Sequence, residues 1–150
     1  IQDQSESCLP ISGVQVDIWH CDAEGHYSEY GNHPLQQMDF TKVSFLRGRK
    51  TTDANGEVSF ISIFPGWYPG RAPHIHVDVL RDEKILLSTQ VAFPEERTAE
   101  VYASRGYQGI EDTPNASDGV FRNSLAGNMA DSVDGNLGDG YTLRKVITIA

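Results

Sequence analysis

The segment PGWYPGRAPHIHV, residues 65–77, brings a tyrosine, an arginine and two histidines close together in the chain. Side chains alternate between the two faces of a β-strand, so His74 and His76 are expected to project from the same face. Two imidazoles on one face can bind a metal ion, although a pair of surface histidines on a half-exposed strand explains this motif equally well. The three prolines of the segment stiffen the approach to the strand, and a stiff approach suits a preorganised site.

Two tyrosines are candidates for further metal ligands. Tyr27 follows a turn that Gly25 permits, at the end of the strand that closes with WHC, and Tyr68 lies in the proline-rich loop before His74. Carboxylates or thiolates would suit zinc, magnesium or ferrous iron, whereas two phenolates favour a hard trivalent ion. Ferric iron is therefore the metal that this set of residue types indicates.

The elements that must position these residues are predicted to be strands. Apolar and polar residues alternate in GVQVDIWHC (13–21), EVSFISIF (57–64) and YTLRKVITI (141–149), which is typical of half-buried strands. Turn signals precede the second and third of these runs, at 53–56 and 138–140, where glycine supplies a positive φ. The pattern predicts an all-β protein, an antiparallel β-sandwich.

Little helix is expected. The run PEERTAEVYAS, residues 94–104, is compatible with one helical turn. Residues 103–140 are rich in Gly, Asn, Asp and Ser, and they are predicted to form long surface loops.

Composition limits the class of protein. The chain has 150 residues, 39% of them hydrophobic, so residues 1–150 are predicted to form a single domain with its own core. The formal net charge of −9 argues against nucleic acid as a partner, and no apolar run is long enough for a membrane span.

The two cysteines, Cys8 and Cys21, allow one intramolecular disulfide, which would close a short N-terminal loop against the first long strand. The alternative is two free thiols. We expect the disulfide, and such a bond favours an oxidising, extracellular compartment. No signal peptide stands at the start of the sequence, so the chain is expected to be mature or trimmed.

Four stretches together resemble a known family. WHCDAEGHYSEY (19–30), FLRGRKTTDANGEVSF (45–60), PGWYPGRAPHIHV (65–77) and STQVAFPEE (88–96) are similar, in this order, to the intradiol ring-cleavage dioxygenases, and most closely to their short secreted branch. The resemblance extends over nearly the whole chain. It implies a β-sandwich that holds non-haem ferric iron, Fe(III), through two tyrosines and two histidines. These positions fall on Tyr27, Tyr68, His74 and His76.

The resemblance also assigns roles in catalysis. Tyr68 would leave the iron when substrate binds and accept a proton from the catechol, while Arg71 would stabilise the charge that develops beside the iron and Gln90 would assist it. The substrate pocket is expected to include Trp67, Arg71 and Gln90. Without the family, Arg71 is better explained as a solvated surface charge and Gln90 as an ordinary outward-facing residue of its strand. Trp19 is expected to pack rather than to act, and His20, His26 and His33 are placed outside the site.

The reaction so implied opens a catechol ring between its hydroxylated carbons with dioxygen and gives a cis,cis-muconate-type diacid. Compared with the larger members, we expect no N-terminal helical segment over the substrate, and the spacing between Tyr68 and His74 is shorter. A more open pocket is therefore expected, which would accept varied catechols such as those released from lignin. The expected partners are catechols and dioxygen, and a monomer is favoured although the sequence does not fix the oligomeric state.

Two other classes are compatible with parts of the sequence. A non-catalytic transthyretin-like or adhesin-type sandwich would explain the strands but would not require two tyrosines and two histidines to converge. A zinc hydrolase would use His74 and His76 and bind a colourless ion. Metal content and visible colour separate both classes from a ferric enzyme.

Overall fold

A computed structural model describes all 150 residues of the chain. It has nine strands, two α-helices and one 3-10 helix. The strands are β1 (Gln2–Asp3), β2 (Leu9–Pro10), β3 (Gln15–Trp19), β4 (Arg47–Thr51), β5 (His74–Arg81), β6 (Lys84–Ala92), β7 (Ser132–Asn136), β8 (Gly140–Arg144) and β9 (Thr148–Ile149). The helices are α1 (Glu95–Tyr102) and α2 (Leu125–Asn128), and the 3-10 helix is Asn115–Ser117.

The largest sheet has four antiparallel strands in the order β4-β3-β5-β6. Its register places Trp19 opposite His76, and His76 opposite Gln90. Because directly opposed residues in a sheet project from the same face, these three side chains form a row across β3, β5 and β6. The other face of the sheet carries the valines that the period-two pattern predicts.

The main core lies between this sheet and the C-terminal strands. Its buried residues come from β3, β5, β6 and the β7 region, and they are Val14, Val16, Val77, Val79, Val91, Phe93, Ala130 and Val133. Partly buried side chains of the β7–β8 hairpin and of the smaller β2-β1-β9 sheet pack on this cluster. The predicted all-β, sandwich-like fold is confirmed. Neither α-helix has the length and the apolar character that a membrane span requires.

The segment 57–64, predicted as a strand, forms no ladder with any neighbour. Phe60 and Phe64 do pack against the core, which explains the alternating pattern, but Ile61 is fully exposed. Side chains rather than a neighbouring strand bind two of its carbonyls: Lys50 Nζ donates to Ser59 O at 2.7 Å and Tyr107 Oη to Phe64 O at 2.7 Å. The alternating pattern therefore identified the side chains that pack against the core, but not the hydrogen-bond partners of the backbone.

The predicted strand over 141–149 is divided between two sheets. β8 pairs with β7, whereas β9 pairs with β1, and the chain changes sheet between them. At this break the amide of Val146 donates to Asp131 Oδ2 at 2.6 Å instead of to a strand. The two turns predicted at 53–56 and 138–140 are present, with Gly56 at φ +69 and Gly140 at φ +89.

Residues 103–140 are mostly exposed loops and turns, as their composition predicts, but they also contain short regular elements and buried residues. This part of the chain contains α2 and β7, and it buries Asp118 and Phe121 completely. The helical turn predicted near 94–104 is a helix of two turns, α1, which begins after Pro94.

The predicted disulfide is wrong, because Cys8 and Cys21 are both free. Cys8 is exposed in the turn before β2, whereas Cys21 is only 2% exposed, in the interior after β3. The chain folds around Cys21 without bringing the N-terminal turn to it. Extracellular location, which the disulfide would have favoured, stays a prediction.

Candidate metal centre

Three parts of the chain supply the predicted metal ligands. His74 opens β5 and His76 follows on the same face, as the period of a strand requires. Tyr68 lies in the loop before β5. Tyr27 lies in the long connection between β3 and β4, where the buried side chain of Gln36 accepts from the Tyr27 amide at 2.7 Å and donates to its carbonyl at 2.9 Å.

The four side chains converge on one point. Nε2 of His74 lies 3.2 Å from the hydroxyl oxygen of Tyr27, 3.4 Å from that of Tyr68 and 3.2 Å from Nε2 of His76. Donor atoms that bind one ion at about 2 Å are separated by distances of this size. The residues present therefore fit a single metal ion. Nowhere in the chain does a group of three or more His, Cys, Asp or Glu side chains offer a second site.

The second ring nitrogen of His74 fixes its tautomer. Nδ1 lies 2.6 Å from the carbonyl oxygen of Ala72, and because a carbonyl can only accept, Nδ1 must donate. Nε2 therefore presents a lone pair to the cluster, which is the arrangement that metal-binding histidines use.

Burial keeps both imidazoles neutral. Desolvation lowers the pKa of His74 to about 3 and that of His76 to about 4. The positive charge of Arg71 lowers both pKa values further. At neutral pH both rings can therefore act as ligands without first losing a proton.

Burial moves the pKa values of the phenols in the opposite direction, and it favours their neutral form as well. It raises the pKa of both Tyr27 and Tyr68, and the guanidinium of Arg71 opposes the shift at both, more prominently at Tyr68. Without a cation both phenols are protonated at neutral pH. A trivalent cation bound between them would supply the positive charge that a phenolate needs in this buried place.

Arg71 is held beside the cluster by three contacts. Its Nε donates to Asp118 Oδ2 at 2.9 Å, Nη2 to Gln90 Oε1 at 2.5 Å and Nη1 to the hydroxyl of Tyr68 at 3.4 Å. The structure thus brings Arg71 and Gln90 together with the four predicted ligands.

Asp118, which the sequence did not indicate, anchors this arrangement. Its carboxylate is completely buried and also accepts from the amides of Ala72, Val120 and Phe121, at 2.7, 2.7 and 3.2 Å. Burial alone would raise its pKa, but the donors of Ala72 and Arg71 outweigh burial and lower it. The only sequence signal at this position is an aspartate in a segment rich in turn residues, which gives no reason to expect a buried charge.

A cavity of about 510 Å³ adjoins His76 on the outward face of the sheet. Its lining residues are Trp19, His76, Asp78, Ser88, Thr89, Gln90, Val120, Ser124 and Asn128. Trp19, expected only to pack, stacks on His76 with ring centroids 4.7 Å apart and planes 2° apart. Trp67 is not part of this lining, and its indole nitrogen donates to Gly109 O at 2.8 Å. Its predicted role in the substrate pocket stays a prediction.

The other histidines lie outside the cluster, as expected. His20 is buried and contacts the carbonyl of Cys21 and the hydroxyl of Ser62, each at 2.7 Å. His26 lies 3.6 Å from the carboxylate of Asp22.

Comparison with known proteins gives relatives of one kind. A family model described as Dioxygenase matches residues 3–104. The chain is 35% identical over 99 residues to the protocatechuate 3,4-dioxygenase beta chain of Burkholderia cepacia, in a match that covers 59% of this chain and 40% of that protein. It is 33% identical over 60 residues to the catechol 1,2-dioxygenase of Candida albicans, covering 40% of this chain and 18% of that protein.

The fold is similar to a solved structure of an intradiol ring-cleavage dioxygenase from Tetranychus urticae, with a TM-score of 0.82 and 28% identity. That likeness covers 97% of this chain and 74% of the other. The matches to the Burkholderia and Candida proteins, in contrast, span less than half of those relatives. The family match over residues 3–104 and the shared fold show that the chain belongs to the intradiol ring-cleavage dioxygenases.

Proposed function

We propose that this chain is the catalytic core of an enzyme that opens catechol rings between the two hydroxylated carbons, with dioxygen, to give cis,cis-muconate-type diacids. One observation carries the proposal: the hydroxyls of Tyr27 and Tyr68 and Nε2 of His76 all lie 3.2–3.4 Å from Nε2 of His74. The relatives named catechol 1,2-dioxygenase and protocatechuate 3,4-dioxygenase support the substrate class.

Ferric iron is the metal that this donor set supports best, because two phenols and two neutral imidazoles suit a hard trivalent ion. When bound, ferric iron would supply a Lewis acid that binds the catechol oxygens and withdraws electron density from the ring. Tyr27, Tyr68, His74 and His76 would hold it.

The two tyrosines differ in a way that assigns their roles. Both backbone groups of Tyr27 are bound by Gln36, and its phenol contacts His74 but no guanidinium. The hydroxyl of Tyr68, in contrast, lies 3.4 Å from Nη1 of Arg71. Tyr27 is therefore the permanent ligand, and Tyr68 is the residue that accepts a proton from the incoming catechol and turns toward Arg71.

Arg71 stabilises negative charge that develops on the substrate. Its guanidinium is oriented before substrate arrives, since Asp118 and Gln90 each bind one of its nitrogens. A preorganised donor of this kind stabilises a transition state without reorganising during the reaction. Gln90 acts through Arg71 and is a positioning residue.

The breadth of substrate follows from the cavity beside His76. Its volume of about 510 Å³ and its largely uncharged polar lining leave space around a catechol ring. Varied ring substituents, including those of lignin-derived catechols, should therefore be accepted. Rates on a panel of substituted catechols test this, and strict selectivity for one of them would contradict it.

For location and assembly we propose an extracellular monomer, on the likeness to the short secreted branch of the family alone. Recovery of the protein from the medium of producing cells, and its mass in solution, test the two parts separately. A cell-retained protein or a stable dimer would contradict the corresponding part.

The test of the function is the visible spectrum and metal content of the purified protein, followed by oxygen uptake with catechol. Tyrosinate bound to ferric iron absorbs visible light, so the protein should be red-brown, and Tyr27→Phe and His76→Ala should lose iron and turnover. Tyr30→Phe, an exposed tyrosine of the same loop, is the matched control. Colourless protein that iron does not activate would favour a non-catalytic sandwich, and bound zinc would favour a hydrolase.

A further inference from the structure

The outward face of the four-stranded sheet carries a second polar row beside the one that contains His76. The register places Asp17 opposite Asp78, and Asp78 opposite Ser88. Residues two apart on a strand are about 7 Å apart, so this row lies one repeat away from His76. Both Asp78 and Ser88 line the cavity that adjoins His76.

The two aspartates of this row are opposed, but only one has a counter-ion. Arg49 binds both carboxylate oxygens of Asp17, at 2.6 and 2.8 Å, and its remaining contact is to Glu83. Asp78 is half-buried and forms neither a salt bridge nor a side-chain hydrogen bond. Like charges directly opposed across strands are destabilising, and Arg49 neutralises only the Asp17 carboxylate of this pair. A cation bound at Asp78 would neutralise the other carboxylate and remove the remaining repulsion.

No basic side chain offsets Asp78 within the cavity. Its lining contains no lysine or arginine, and Asp78 is its only carboxylate. The guanidiniums on this side of the sheet already have partners, since Arg49 is bound by Asp17 and Glu83 and Arg71 by Asp118 and Gln90. The cavity therefore presents one uncompensated negative charge to whatever occupies it.

We propose that Asp78, with the hydroxyl of Ser88, forms a subsite for a protonated amine carried on a short arm of a catechol ring. The inference rests on the proposed function, because the ring must lie at the cluster of Tyr27, Tyr68, His74 and His76. From there an arm of two carbons, followed by an ammonium–carboxylate hydrogen bond of about 2.8 Å, spans roughly the 7 Å of one strand repeat to Asp78. An ammonium group offers three donors, which suit a carboxylate and a hydroxyl. A carboxylate on the same arm is repelled.

The test uses the iron-loaded protein and three catechols whose arms have similar length: 4-(2-aminoethyl)catechol, 4-(2-hydroxyethyl)catechol and 3,4-dihydroxyphenylacetate. We expect kcat/KM to be about fivefold higher for the amine than for the neutral compound, equivalent to about 1 kcal/mol, and lowest for the acid. Asp78→Asn should bring the ratio of amine to neutral compound close to one. Asp134→Asn removes the same charge from an exposed position of β7 and should keep the wild-type ratio.

Calorimetric titration of the same three compounds into wild type and both variants, with and without iron, gives a readout that does not depend on turnover. If no catechol is cleaved, the proposed function fails, while an Asp78-dependent preference for the amine in binding still supports the subsite. A preference that fades with added salt also supports it, since the pair is partly exposed. If neither kinetics nor binding shows a preference for the amine that Asp78→Asn removes, the inference is overturned.

Discussion

Replacing Asp118 by asparagine should both destabilise the fold and disable Arg71. The carboxylate accepts through Oδ2 from Arg71 and Ala72, and through Oδ1 from Val120 and Phe121. Asparagine keeps one oxygen, which can serve Val120 and Phe121. Its NH₂ group then faces the two other donors, so Arg71 Nε and the Ala72 amide both lose their acceptor.

The cost can be worked out from these contacts. Each buried donor left without a partner costs about 1–3 kcal/mol, and removing one partner of a buried ion pair costs about 3–5 kcal/mol. The side chain of Arg71 is 19% exposed, so water compensates part of its loss. We expect the free energy of unfolding to fall by about 3 kcal/mol, which in a domain of this size lowers Tm by about 6–12 °C.

Urea denaturation of the metal-free protein, followed by circular dichroism, measures this change without interference from iron. The control is Asp134→Asn. Asp134 is exposed and forms no salt bridge, so this change should leave stability within about 0.5 kcal/mol of wild type. A loss of less than about 1 kcal/mol in Asp118→Asn would refute the reasoning, because the buried carboxylate would then not be the acceptor on which Arg71 depends.

Four further outcomes are expected. The stability difference between wild type and Asp118→Asn should shrink as pH falls below about 4, because the Asp118 carboxylate has a lower pKa in the folded than in the unfolded state. Its contribution to stability is fully present above the unfolded pKa and is lost as the folded carboxylate is protonated. An equal difference at pH 3 and pH 7 in urea denaturation would contradict this. Arg71→Ala should keep iron and its visible absorption while kcat falls about 100-fold or more, and an unchanged rate would make Arg71 a surface charge. Tyr68→Phe should still fold and hold some iron with altered colour but bind catechol slowly in rapid-mixing absorbance, and a wild-type rate would remove Tyr68 from the mechanism. A thiol reagent should modify exposed Cys8 in the native protein but reach Cys21 only after denaturation, since burial raises the Cys21 pKa to about 12; finding no free thiol would restore the disulfide.

The parts of the site that the sequence predicted are those that depend on local geometry. His74 and His76 share a face because a strand repeats every two residues, and this is visible in HIHV without any knowledge of the neighbouring strands. Tyr68 lies only six residues before His74, whereas Tyr27 lies far from that strand in sequence. Both were candidates by residue type, and the family resemblance assigned them as ligands.

The parts that were missed depend on which segments become neighbours. Alternation shows that Trp19 lies on the outward face of β3, but only the register with β5 puts it against His76. Residues 57–64 alternate like a strand because one side packs on the core, yet nothing in that pattern supplies a neighbouring strand. Asp118 is placed in a segment whose composition is that of an exposed loop, so its burial follows entirely from the tertiary structure.

The contacts that build the cluster also determine when it can form during folding. The contact from Tyr27 to His74 and that from Arg71 to Asp118 each join residues 47 positions apart. Contacts of such sequence separation require the closure of long loops, and they form later than hairpins such as β5–β6. In a refolding experiment the strand signal should therefore return before the ability to capture a metal ion, and the colour of the holoprotein would report the last loop to close rather than the first strands to pair.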